Sequence, residues 1–201
     1  MKQKVLSLSF RVVAVLILTA VLIICSGADP VRAVSVFFYA VFGNLNGFAE
    51  VFVRATPLIF LGLAIALSFR TGFFNLGAEG QFYMGALAAT ASVVYTPTLP
   101  GLLRIIIACV AAALAGGVWS IIPAYMKNRM GISETISTIM FNYIAIMFVG
   151  LAIRGFLHDN STPEPQSIQI LEEVRLSQLL YPTRLHSGLI LAVFAAVVVW
   201  F

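Results

Sequence analysis

Charge is scarce in this sequence. Its 201 residues carry only 12 basic and 8 acidic side chains, 10% of the total against 61% hydrophobic. So few ions cannot cover the outside of a water-soluble domain of this size, which excludes that class. Cysteine is nearly absent too: Cys25 and Cys109 stand far apart, each in an apolar run, with no CxxC or histidine spacing. That excludes a disulfide framework or a zinc site, and no metal is expected. The basic residues never form a run, so the net charge of +4 does not point to nucleic acid. There is no GxxxxGK[ST] loop, no HExxH and no nucleophile elbow, and His158 and His186 lie in or beside one polar segment. Catalysis has no seat, and no cofactor is called for. Rings of charge and carbonyl-filter signatures, which mark ion channels, are missing as well.

What is present is a series of long apolar runs, with a mean hydropathy of +1.01. In lipid every backbone group must be paired within its own segment, so the expected fold is an all-α polytopic membrane protein. About six transmembrane helices plus an interfacial or re-entrant segment are expected in a single domain over 1–201. The first run, Val12 to Cys25 behind Lys2, Lys4 and Arg11, reads as an uncleaved signal anchor: Ile24 stands where a lipoprotein site would need a small residue. Residues 31–53 are broken by Gly43, Asn44, Asn46, Gly47 and Glu50, so neither half reaches the roughly 20 residues of a span. They read as the interfacial or re-entrant piece. Further spans follow at about 55–70, opening at Thr56 and Pro57, and at 78–96, 102–126 and 132–153. Residues 154–186 form an extracytoplasmic loop, and 187–201 read as a span cut short. The basic residues near helix ends divide six against six between the two sides, but with a cytoplasmic N-terminus all three lysines fall inside and half of the outside arginines lie in the long polar loop, which favours that orientation.

Polar residues at membrane depth are costly and mark function. Two clusters qualify. "TGFFNLGAEGQF" (71–82) carries Asn75, Glu79 and Gln81 among three glycines. If helical, Asn75 and Glu79 share a face, and the glycines permit a broken helix of the kind that exposes backbone groups to a polar solute. Equally, the stretch reads as a turn between spans, with Glu79 answering the dipole of the next helix. The second cluster is "SETISTIMFNY" (133–143), where Glu134, Thr138 and Asn142 recur every four residues with Ser137 alongside. Such a stripe suits a neutral, hydroxyl-rich solute; the plainer reading is helix glue, with Glu134 capping the helix that Ser133 starts. A third motif, "AAALAGG" (111–117), pairs Ala112 with Gly116 and Ala113 with Gly117 for close helix packing.

The stretches "TPLIFLGLAIALSFRTGFFNLGAEGQFYMGALAA" (56–89) and "GISETISTIMFNYIA" (131–145) closely resemble the hallmark segments of the membrane permeases of nucleoside and simple-sugar ATP-binding-cassette importers. These belong to the wider branched-chain amino-acid permease superfamily, and the "FNLGAEGQ" form is similar to the nucleoside-type branch. The resemblance implies a bacterial inner-membrane subunit that works with a second permease subunit, a cytoplasmic ATP-binding subunit and an extracytoplasmic solute-binding lipoprotein. It also implies that 1–201 is the N-terminal portion of a permease or a truncated gene product. A functional role for the region around Asn75 and Glu79 is expected on the same ground. The alternatives are a proton-coupled secondary carrier, with Glu79 or Glu134 titrating, and a scaffold that transports nothing.

Overall fold

The computed structural model describes residues 2–201 and the side chains from Phe10 onward. Lys2 and Lys4, on which the orientation argument draws, have side chains outside the described residues. The chain is all α: seven α-helices and one short 3-10 turn, with two isolated β-bridges and no strand among the described residues. Among the described residues three helices are long and apolar enough to cross a membrane, or four if one bent pair counts as a single span. The protein is a multi-pass membrane protein.

Contacts divide the chain into two units, the first comprising residues 1–53 with 180–185 and the second 54–179 with 186–201. In the first, α1 (Lys2–Cys25) and α2 (Pro30–Phe42) meet at 106°. Gly27 makes that bend, at φ +81°, with the Ala28 N–H reaching back to the Ile23 carbonyl and the Gly27 N–H to Ile24. This is the glycine helix stop in which a left-handed residue satisfies the last carbonyls. Asp29 then caps α2, its Oδ1 accepting from the Val31 N–H at 2.9 Å, and Pro30 takes the first helical position. Arg184, from the polar segment, pairs with Glu50 at 2.8 Å within this unit.

The segment 31–53 is not one piece. Asn44 Oδ1 accepts from the Gly47 N–H at 2.6 Å and opens α3 (Leu45–Arg70), which runs straight through Pro57. The second span is therefore 26 residues long rather than beginning at Thr56. Proline inside a helix removes one backbone bond, a loss that membrane helices tolerate.

The second unit is built on α4 (Ala78–Val94), α5 (Gly101–Met130) and α6 (Glu134–Arg154), which pack on one another pairwise. Its small core is Leu87 of α4, Ala152 of α6 and Leu157 just beyond, with Met84, Ala91, Val94 and Val149 around them. Most of the remaining apolar side chains lie exposed, as lipid-facing helices require. Two side chains fasten the far end of α4. Arg104, 5% exposed, donates from Nη2 to the Val93 carbonyl at 2.8 Å, and the Tyr95 hydroxyl donates to the Phe156 carbonyl at 3.1 Å. A cation against the final carbonyls of α4 also complements the helix dipole. The last helix, α7 (Gly188–Trp200), has 13 residues.

Candidate functional site: the polar break at 71–77

α3 ends at Arg70, and the φ of +76° at Gly72 lets the Phe73 N–H reach the Ser68 carbonyl and the Gly72 N–H reach Phe69. The Ser68 hydroxyl donates to the Phe73 carbonyl at 2.9 Å and the Thr71 hydroxyl to Ser68 at 2.7 Å, closing the turn. From Phe73 to Gly77 the backbone is not helical, and α4 begins only at Ala78. Asn75 and Glu79 accordingly do not share a helix face: Asn75 is 8% exposed, while Glu79 is exposed.

A non-helical backbone buried in such surroundings must find partners for its N–H and C=O groups. Here α6 supplies them. The Leu76 N–H donates to Thr138 Oγ1 at 3.3 Å, and that hydroxyl in turn donates to the Glu134 carbonyl at 2.6 Å. Asn142 serves two groups at once: Nδ2 donates to the Leu76 carbonyl at 2.9 Å, and Oδ1 accepts from the Gly80 N–H at 2.8 Å. Asn75 works locally, its Oδ1 accepting from the Gly77 N–H at 2.8 Å and more weakly from Gln81 Nε2 at 3.4 Å. The two polar clusters thus form one site. The recurrence of 134, 138 and 142 on α6 matches the path of the break along it.

Glu134 joins the site from the other end. Its carboxylate accepts from Lys127 Nζ at 2.6 Å and faces the Phe74 N–H, and the Lys127 ammonium also stands 4.9 Å from the centre of the Phe73 ring. Ser133 holds the N-cap position of α6 but makes no side-chain cap bond, so the first-turn carboxylate spends itself on the break and on Lys127. Sequence reasoning missed Lys127. Its signal was there, a lysine in the last turn of one helix and an acid in the first turn of the next, seven residues on.

Close approach makes these bonds possible. A methyl group at Gly80 would stand 2.9 Å from Asn142 Oδ1 and 3.0 Å from the Phe141 carbonyl oxygen, and one at Gly77 would stand 3.0 Å from Thr138 Cβ. Between α4 and α5 the same holds: a methyl group at Gly85 would sit 3.1 Å from the Ala112 carbonyl oxygen, and at Gly116, 3.1 Å from that of Gln81. Ala112, Ala113, Gly116 and Gly117 line a groove of about 650 Å³ between α3, α4 and α5, with Gln81 as its polar wall. Gly117 itself faces open space.

Of the six polar residues singled out in the sequence, five make hydrogen bonds within the site: Gln81 with Asn75, Thr138 with Glu134, and Asn142 with Leu76 and Gly80. Glu79 is the exception: exposed in the first turn of α4, it has no hydrogen-bond or ion-pair partner among the described residues. Among the described residues no group of histidine, cysteine, aspartate and glutamate is arranged to hold a metal.

Residues 47–201 match the family described as the branched-chain amino acid transport system / permease component. The chain belongs to that permease family. It is 36% identical over 187 residues, 90% of its length, to the guanosine ABC transporter permease protein NupP of Bacillus subtilis. It is 34% identical, over 92% of its length, to the glucose ABC transporter permease protein of Haloferax volcanii. The nucleoside ABC transporter permease protein NupB of Lactococcus lactis is 28% identical over 98% of this chain. The permease chain spans about half the length of these curated relatives, 53%, 51% and 56% of each. No solved structure matches it.

Proposed function

We propose that this chain is part of the membrane subunit of an ATP-binding-cassette importer that carries nucleosides or simple sugars across a bacterial plasma membrane. The reading rests on the similarity, over nine-tenths or more of the chain, to permeases named for guanosine, glucose and nucleosides. ATP hydrolysis belongs to a separate cytoplasmic subunit; a second permease subunit and an extracytoplasmic solute-binding lipoprotein complete the machine. The N-terminus lies in the cytoplasm and residues 154–186 outside.

Within that subunit the break at 71–77 is a polar element of the solute path with a division of labour. Asn75, Glu134, Thr138 and Asn142 hold the backbone in its non-helical course, while Glu79 and Gln81 keep polar atoms available to the hydroxyls or base of a passing solute. A carboxylate with no partner among the described residues is costly in lipid and well suited to a wetted path.

The test is uptake of labelled guanosine and of labelled glucose by cells expressing the permease with its partner subunits. Glu79→Gln should lower uptake about tenfold or more, the scale of losing one charge-assisted hydrogen bond, without altering the amount of protein in the membrane. Uptake that survives ATP depletion but collapses with the proton gradient would instead establish a secondary carrier. Cells that take up neither solute through the wild-type protein would leave it a scaffold.

A further inference from the structure

The elbow between α1 and α2 lies apart in sequence from the polar break at 71–77. α2 has 13 residues, a length of about 20 Å at 1.5 Å per residue, which is too short to cross a hydrocarbon core of roughly 30 Å. The 106° bend also turns it nearly perpendicular to α1. No residue of α2 is buried: Phe37, Phe38, Tyr39 and Phe42 are all more than half exposed, as are Val31, Val34 and Val36. An apolar helix rich in aromatic residues and lying across the direction of its neighbour belongs at the level where acyl chains meet headgroups.

At the bend is a shallow pocket of about 520 Å³ lined by Gly27, Ala28, Asp29, Arg32, Ala33 and Val36. It holds two opposite charges three residues apart, a spacing at which they could pair. They do not. Asp29 spends Oδ1 on the Val31 N–H, leaving its other oxygen exposed, and among the described residues the Arg32 guanidinium has no hydrogen-bond or ion-pair partner. The pocket therefore presents a fork of guanidinium donors beside a carboxylate oxygen, at the start of a helix whose apolar face is left exposed by the described residues.

We infer that this elbow binds the headgroup of a phospholipid bearing both a phosphate and a primary ammonium, a phosphatidylethanolamine, with phosphate on Arg32 and ammonium on Asp29. The acyl chains of that lipid run along the exposed side chains of α2. An anionic headgroup without the ammonium meets the same guanidinium but is repelled by the Asp29 carboxylate. Charge complementarity thus selects the zwitterion.

The experiment is native mass spectrometry of the full chain, released from detergent in the presence of equimolar palmitoyl-oleoyl phosphatidylethanolamine and phosphatidylglycerol. Wild-type protein should retain the ethanolamine lipid about tenfold over the glycerol lipid, the size of one charge-assisted contact. Asp29→Asn keeps an equally good helix cap while removing the charge, and should bring the two lipids to parity. Arg32→Gln should lower retention of both about tenfold. Equal retention of the two lipids by the wild type, or a preference that survives Asp29→Asn, would overturn the assignment. Should Arg32→Gln fail to insert, Asp29→Asn decides the matter alone.

Discussion

Thr138 shows how much a single hydroxyl can do where water is scarce. It gives its one proton to the Glu134 carbonyl inside its own helix, which leaves its lone pairs aimed at the Leu76 N–H of the break. Thr138 is fully buried, so the bond cannot be replaced by solvent. Thr138→Val keeps the shape and removes the acceptor; it should cost about 1 kcal/mol, the scale of losing one partly buried hydrogen bond. Asn142→Leu strands both the Leu76 carbonyl and the Gly80 N–H and should cost about twice as much. Detergent-solubilised thermal melts of the two variants, compared with Thr138→Ser, which keeps the acceptor and should remain near wild type, check this ordering. The stripe 134, 138 and 142 was legible in the sequence because four-residue spacing is a property of the helix alone. What Thr138 and Asn142 hold was not legible, because their partners lie 62 to 66 residues away and no local pattern encodes a pairing at that distance.

At the scale of the element, glycine placement decides how closely α4 can approach its neighbours. Gly80 abuts the backbone of α6 and Gly116 that of α4, whereas Gly117, next door on α5, has nothing within 4 Å. Gly80→Ala should therefore push α4 off α6 and break both Asn142 bonds, lowering the yield of folded protein severalfold, since overpacking against backbone costs about 1–3 kcal/mol. Gly117→Ala should leave the yield unchanged or raise it through better helix propensity. Fluorescence-detected size exclusion of the two variants separates these outcomes. The apolar runs revealed α4, α5 and α6 to within a few residues because lipid leaves the backbone no other choice. The start of α3 was hidden. Gly43, Asn44, Gly47 and Pro57 are breakers in water, yet here the Asn44 side chain opens the helix at Leu45 and the helix carries on through Pro57.

At the scale of the whole molecule, two constraints act on one chain: lipid around its helices and a polar seam within them. The orientation proposed for the permease puts 154–186 outside and the N-terminus in the cytoplasm. A cysteine replacing exposed Asn160, introduced after Cys25 and Cys109 are changed to alanine, should react with a membrane-impermeant maleimide on intact cells; labelling only after lysis would invert the topology. The seam has a consequence for chain length. Successive stripe residues on α6 are about 6 Å apart along its axis, and the break meets them in chain order. Phe74 faces Glu134 as Leu76 meets Thr138, and one helical turn later Gly80 meets Asn142. The break and α6 act like the two scales of a vernier. Their graduations coincide at one setting only, so adding or removing a single residue between Phe74 and Gly80 would disengage the scale at every mark beyond it, whatever residue was chosen.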